Sequence, residues 1–136
     1  MAGTNEILVT LPGGRRVDAQ LGDHLVRTDQ PVGNGGEDTA PSPYQLFLAS
    51  LGTCAGIFVQ GFCAKRELPT EGIRIRARPF NDPETGTLAR FEIDIEVPPE
   101  FPEKYREALV RVVDQCSVKR AIQAQPSFET RTVVAR

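Results

Sequence analysis

The chain has 136 residues, of which 40% are hydrophobic and 25% charged, and a formal net charge of −2 at pH 7. This length predicts a single domain over residues 1–136, and the slightly acidic balance argues against a broad basic surface for nucleic acid. No uninterrupted apolar run reaches the roughly 20 residues of a membrane span, and no basic segment followed by an apolar one begins the chain. We therefore expect a cytoplasmic protein that binds neither nucleic acid nor a membrane.

The first part of the chain is predicted to form three short strands followed by a loop. Alternating or β-prone residues place the strands at 6–11, 16–21 and 24–28, with glycine-containing turns between them. Residues 29–42 are rich in proline, glycine and polar residues and are interpreted as an ordered loop. A loop of this length inside a domain is typically functional or mobile, although a plain flexible connector remains the alternative.

Residues 43–66 form the dominant predicted helix. Ser42 is a suitable N-cap, Pro43 suits the first helical position, and Gln45 completes a capping box with Ser42. Apolar side chains surround most of the helix, which is typical of a buried helix. Glycines and other small residues around Cys54 favour either close approach by another element or room for a substrate.

The second half of the chain is predicted to contain two strands of complementary charge. Arginines alternate with apolar residues in 73–78, and acidic residues alternate with apolar residues in 91–97. Antiparallel pairing would place arginines beside acids on one face and leave the other face apolar, to be covered by helices. Helices at 102–113 and 117–124 and a last strand at 128–135 complete the predicted elements.

The chemistry-bearing residues are few: one histidine, His24, and three cysteines, Cys54, Cys63 and Cys116. The sequence has no close-spaced Cys/His pair of the kind that binds zinc, and an odd cysteine count argues against a disulfide framework. We therefore expect no metal and no cofactor. Cys63 lies nine residues after Cys54, which turns the two thiols to opposite sides of the helix and favours a packing role for Cys63.

The other two cysteines have different predicted surroundings. Cys116 opens a helix and precedes Lys119 and Arg120, all of which favour a thiolate. Cys54 lies in an apolar mid-helix environment that raises a thiol pKa, so a nucleophilic role there requires a cation from another element. The candidate cations are Arg15, Arg16, Arg27 and His24. From these residues alone, two inert buried thiols are the simpler interpretation.

Two segments around these cysteines resemble the cysteine motifs of the OsmC/Ohr family, the osmotically inducible and organic-hydroperoxide-resistance proteins. Residues 36–54, GEDTAPSPYQLFLASLGTC, resemble the first motif, and residues 114–122, DQCSVKRAI, resemble the second. The predicted order of strands and helices agrees with the family along nearly the whole chain. The resemblance implies an α+β OsmC-like fold, with antiparallel sheets around a long central buried helix, in an intertwined homodimer with its sites at the subunit interface.

The resemblance also implies a thiol-dependent reduction of organic hydroperoxides. Cys54 would be the peroxidatic thiolate that becomes a sulfenic acid, and Cys116 would resolve it to a disulfide. An external dithiol, of lipoyl type by analogy, would then reduce the disulfide. An apolar pocket with Tyr44, Phe47 and Phe58 as candidate lining residues would admit the alkyl part of the substrate.

One position departs from the family pattern. In Ohr-type members a glutamate at the start of the long helix pairs with an arginine that activates the cysteine, and here that position corresponds to Tyr44, which is neutral at pH 7. Arg27 or Arg16 is the predicted activating cation. The departure also favours an alternative function, a redox-sensing or small-molecule-binding module of the same fold with little or no turnover.

Overall fold

A computed structural model of the chain describes residues 5–136. The chain falls into two compact units, the first ending at Leu48 and the second covering Ala49–Arg136. Both units combine strands and helical segments, which confirms the α+β class. The single-domain assignment stays a prediction.

The first unit contains a three-stranded antiparallel sheet in the order β1-β2-β3. The strands are β1 (Leu8–Gly13), β2 (Arg16–Leu21) and β3 (His24–Thr28). All three predicted strands are confirmed, with β1 shifted by two residues and its register interrupted between Thr10 and Gly13. Gly14 turns the chain between β1 and β2 at a φ of 60°, a conformation that favours glycine.

The loop after β3 is organised by Asp29, whose side chain is buried. Its carboxylate accepts hydrogen bonds from the Thr39 hydroxyl at 2.6 Å, the Thr39 amide at 3.0 Å and the Gln30 amide at 2.7 Å. These donors lower the pKa of Asp29 from 3.8 to about 2. The loop is therefore held by specific hydrogen bonds, as predicted, and includes a short 3-10 helix at Val32–Asn34.

The long helix α1 (Pro43–Lys65) begins at the predicted capping box. The Gln45 amide donates to the Ser42 hydroxyl at 3.2 Å, and the Ser42 amide donates to the Gln45 side-chain oxygen at 2.9 Å. By length and composition alone α1 could cross a membrane. The core helix of a soluble protein passes the same test, and one face of α1 lies in the core of the second unit.

Burial all round α1 was expected and is wrong for this chain. Its buried residues lie on one side, and Ile57 is 64% exposed. Apolar side chains lie on most sides of the helix, but the neighbouring elements of the second unit cover only one side. Among the glycines near Cys54, Gly52 lies against β4, where a Cβ would contact the Ala77 side chain at 3.6 Å, whereas Gly56 and Gly61 face open space.

The second unit pairs β4 (Arg74–Asn81) with β5 (Leu88–Glu96) in the predicted antiparallel arrangement. Cross-strand neighbours are Arg74 with Glu96, Arg76 with Asp94, and Arg78 with Glu92. Arg76 also bonds Glu96 at 2.5 Å, and Arg78 bonds Asp94. The opposite face is apolar, and Ile75 and Ile93 pack against the core.

Two helices follow β5: α2 (Arg106–Val113), preceded by a 3-10 turn at Glu103–Tyr105, and α3 (Ser117–Gln123). Leu109 and Val113 of α2 are buried with Phe62 of α1. The predicted helix at 102–113 is thus correct only from Arg106, since its first turn is of the tighter 3-10 type. Helix α3 ends one residue earlier than predicted.

The last predicted strand, at 128–135, is wrong. Residues 125–136 form no strand, and Phe128, Val133 and Val134 are 90%, 75% and 92% exposed. An alternating pattern gives a segment the capacity to pair, but a strand forms only beside a neighbouring strand. Within residues 5–136 no strand pairs with this segment.

Candidate active site around two cysteines

Two of the three cysteines meet in the second unit. Cys54 lies in the middle of α1, and Cys116 is the N-cap residue of α3. Both are free thiols, and they lie close enough for each to shift the other's pKa. The fold therefore brings together two residues that are distant in the sequence, as the resemblance implies.

The turn between α2 and α3 positions Cys116. Leu109 and Val113 anchor α2 in the apolar core, and the Cys116 amide donates to the Val113 carbonyl at 3.0 Å. The chain then enters α3, whose first residues are Ser117 and Val118. This arrangement directs the start of α3 toward Cys54.

Cys54 is surrounded by hydrogen-bond donors. The Cys116 side chain contributes most to lowering the Cys54 pKa, followed by the Val118 amide and then by the Ser117 side chain and amide. The Ser117 hydroxyl oxygen lies 3.8 Å from the Cys54 sulfur. Partial burial of Cys54 acts in the opposite direction, but the donors outweigh it and lower the pKa.

Cys116 has the opposite balance. Its side chain is 2% exposed, and burial raises its pKa, as does the hydrogen bond with Cys54. The Lys119 and Val118 amides act the other way without reversing the direction. The expectation that Cys116 is the favoured thiolate is therefore wrong, because its burial outweighs its place at the start of a helix.

The predicted cations belong to other surroundings. Lys119 forms an ion pair with Asp114 at 2.7 Å. Arg16 lies 3.8 Å from Asp18 in the first unit, and Arg27 is the cross-strand neighbour of the same Asp18. The causes that lower the pKa of Cys54 are neutral donors of the second unit. The activating role of Arg27 or Arg16 stays a prediction.

The three candidate pocket residues are divided between the units. The rings of Tyr44 and Phe47 contact each other at 6.0 Å between centroids, in the part of α1 that belongs to the first unit. Phe58 packs against the core of the second unit. Their role in lining a pocket for a substrate stays a prediction.

A small apolar cavity of about 210 Å³ adjoins Cys116, and the sequence did not indicate it. Cys116 and Lys119 form part of its wall. The other wall residues are chiefly apolar: Leu51, Leu88, Phe91, Ile93, Val113 and Ile122. The cavity forms because α1, α3 and β5 present apolar side chains to one another without filling the space between them.

The structure also identifies donors that the sequence did not single out. Ser117 and Val118 supply the hydroxyl and amides around Cys54, and the only indication in the sequence was a serine next to a cysteine at a helix start. Among residues 5–136 there is no group of three or more His, Cys, Asp or Glu residues that could hold a metal ion. Cys63 is fully buried in the core, as predicted, and burial raises its pKa.

Comparisons with known proteins agree with the resemblance. The model of one protein family, described as OsmC-like protein, matches residues 35–131 and so includes both Cys54 and Cys116. Comparison with curated proteins gives no match.

Three solved structures illustrate the likeness of fold. A proposed osmotic stress induced and detoxification response protein from Psychrobacter arcticus 273-4 has a TM-score of 0.75 at 22% identity, with 89% of this chain and 90% of that chain covered. The OsmC like protein from Mycoplasma pneumoniae has a TM-score of 0.70 at 12% identity, covering 92% and 91%. An organic hydroperoxide resistance protein from Elizabethkingia anophelis has a TM-score of 0.59 at 21% identity, covering 92% and 93%.

Proposed function

Since the chain belongs to the OsmC-like protein family, we propose that it is a cysteine-based peroxidase for organic hydroperoxides, with Cys54 as the peroxidatic and Cys116 as the resolving residue. The proposal is supported by the proximity of Cys54 to the start of α3, where the Ser117 hydroxyl oxygen lies 3.8 Å from its sulfur, together with a lowered pKa at Cys54 and a raised one at Cys116. A redox role also agrees with the name of the similar hydroperoxide resistance protein.

The first step is an attack by the Cys54 thiolate on the distal oxygen of the hydroperoxide. A sulfur–oxygen bond forms, the oxygen–oxygen bond breaks, and the alkoxide leaves as an alcohol after it takes up a proton. Cys54 becomes a sulfenic acid. The lowered pKa favours this step, because the thiolate is the nucleophile.

The second step joins the two cysteines. The Cys116 sulfur attacks the sulfenic sulfur of Cys54, a disulfide forms, and the hydroxyl group leaves as water. The residue after Cys116 already lies near Cys54, since the Ser117 hydroxyl oxygen is 3.8 Å from the Cys54 sulfur. Two electrons from an external dithiol, which we propose to be of lipoyl type, then restore both thiols.

Stopped-flow mixing with cumene hydroperoxide and a dithiol tests the proposal. We expect rapid, saturable consumption of peroxide by the natural chain, no catalysed consumption by Cys54→Ser, and one oxidation per chain followed by arrest in Cys116→Ser. Cys63→Ala is the matched control and should retain turnover, since Cys63 lies in the core. Full peroxidase activity in folded Cys54→Ser protein would refute the assignment.

A second candidate function is redox sensing with little turnover. The first turn of α1 contains no acidic residue, and Tyr44 stands where Ohr-type members have a glutamate. A sensor would show oxidation of Cys54 by peroxide without recycling by dithiols. The same stopped-flow experiment separates the two functions through its steady-state phase.

We further propose that the protein is a cytoplasmic homodimer. Leu8, Val9 and Leu11 of β1 are 61%, 52% and 80% exposed, and in the second unit Ile57 is also exposed. Apolar surface of this kind is commonly covered by association. Light scattering after gel filtration should give twice the mass of the chain, and a single-chain mass at micromolar concentration would overturn the dimer.

A further inference from the structure

The apolar cavity beside Cys116 suggests how the oxidised pair is reduced. Building on the proposed function, we propose that an apolar dithiol enters this cavity and attacks the sulfur of Cys116, so that the mixed disulfide forms on Cys116 and Cys54 is released first. Either sulfur of a disulfide can be attacked, and the sulfur that is attacked carries the mixed disulfide.

The position of the cavity favours attack on Cys116. Thiol–disulfide exchange proceeds with the attacking sulfur in line with the bond that breaks, so attack on Cys116 requires access from the side away from Cys54. The cavity has Cys116 in its wall, whereas Cys54 does not line it. A thiolate held there would lie beside Cys116 and not beside Cys54.

The chemistry of the walls indicates what kind of reductant fits. Leucine, isoleucine, valine and phenylalanine side chains surround most of the space, so an alkyl chain gains contact and loses water there. A short apolar dithiol therefore suits the cavity better than a charged tripeptide thiol.

The choice of leaving group also favours attack on Cys116. Besides the Cys116 thiol, which no longer donates in the disulfide, the Val118 amide and the Ser117 hydroxyl and amide lower the pKa of Cys54, whereas burial raises that of Cys116. Exchange is faster when the departing thiol has the lower pKa. Release of Cys54 as the thiolate is thus the easier cleavage.

Reduction proceeds in two successive thiol–disulfide exchanges. One thiolate of the dithiol forms a bond to the Cys116 sulfur, the Cys54–Cys116 bond breaks, and Cys54 takes the electron pair. The second thiol of the reductant, after losing its proton, then attacks its own sulfur in the mixed disulfide. A cyclic disulfide leaves, and Cys116 takes up a proton as the free thiol.

A trapping experiment on the natural chain tests the site of attack. The Cys54–Cys116 disulfide is formed with diamide, so that no peroxide step is needed, and is then treated briefly with butanethiol, a monothiol that cannot complete the cycle. After acid quenching and labelling with maleimide, peptide mass spectrometry locates the adduct. We expect butanethiol on Cys116 and maleimide on Cys54, in excess of about tenfold over the reverse.

A substitution in the cavity tests the apolar preference. Ile122→Asp places a charge in the wall, and it should lower the rate of reduction by dihydrolipoamide relative to dithiothreitol by about tenfold, the equivalent of roughly 1.4 kcal/mol. Val110→Asp is the control, because Val110 is an exposed helical residue that does not line this cavity. It should leave that ratio unchanged.

Adducts on Cys54, an equal mixture, or no disulfide after diamide would overturn this inference. Failure of this inference can be distinguished from failure of the proposed peroxidase function. If peroxide fails to oxidise Cys54 while the diamide-formed disulfide still yields the Cys116 adduct, the peroxidase assignment falls and the route of reduction stands.

Discussion

The two compact units bury different kinds of side chain. Among the described residues of the first unit, those that are buried are Asp18, Thr28 and Asp29, and the apolar residues of β1 are exposed. In the second unit an apolar cluster that includes Phe62 and Leu109 is buried; Cys54 lies on one helix of this cluster, α1, and Cys116 follows another, α2. The second unit thus has the packed scaffold that holds a reactive pair in place, while the first depends on hydrogen bonds and on covering of its sheet.

The largest expected effect is on the core of the second unit. Leu109 is 2% exposed, and Leu109→Ala should lower the free energy of unfolding by about 2–5 kcal/mol, since it removes buried contacts and leaves a cavity. Leu11→Ala in β1 is the matched substitution in the first unit. It should change the free energy of unfolding by less than about 0.5 kcal/mol at low protein concentration. Urea unfolding measures both. Equal losses of unfolding free energy in the two variants would show that apolar packing does not distinguish the units.

A smaller effect is expected from the polar centre of the first unit. Because folding lowers the pKa of Asp29 to about 2, its carboxylate stabilises the folded chain at higher pH, and this contribution disappears as the pH falls from about 4 through about 2. Asp29→Asn should therefore reduce the melting temperature at pH 7 and weaken its dependence on pH in the acid range. Thermal melts from pH 2 to pH 7 measure this, with Asp38→Asn, an exposed residue of the same loop, as the control.

An unchanged acid dependence in Asp29→Asn would mean that the hydrogen bonds from Thr39 and Gln30 add nothing to the stability of the loop. The first unit would then lack the polar support that distinguishes it from the second.

The smallest expected effect concerns where Cys54 obtains its reactivity. Ser117→Ala removes one donor, so the pKa of Cys54 should rise and alkylation by iodoacetamide at pH 7 should slow by about two- to tenfold. The rate should still increase with pH as the thiolate forms, with its midpoint moved to higher pH. Arg27→Gln tests the first unit in the same assay. A larger slowing in Arg27→Gln than in Ser117→Ala would assign the activation to the first unit.

Patterns local in the sequence predicted much of the fold. The capping box of Ser42 and Gln45 and the pairing of Arg78 with Glu92 each follow from spacing within one or two elements. The segment at 128–135 failed because pairing depends on a neighbouring strand, which an alternating pattern does not supply. Burial all round α1 failed for a related reason, since composition does not specify what covers a surface.

The candidate site was predicted only through the family resemblance. From the residues alone, Cys54 and Cys116 were as well explained as inert thiols, and their contact depends on how α2 packs and where its turn ends. The residues alone favoured a thiolate at Cys116, whereas burial raises the pKa of Cys116 and the pKa of Cys54 is lowered by the Cys116 side chain and the Val118 and Ser117 donors. Both are properties of the folded chain.

The order in which the two thiols become reactive follows from their effect on each other's pKa. Besides burial, the bond to Cys54 and its negative charge raise the pKa of Cys116. Conversion of Cys54 to a neutral sulfenic acid would remove that charge, so Cys116 would become more acidic at the moment when its own thiolate is needed. The pair would thereby restrain its second nucleophile until the first has reacted, without any conformational trigger.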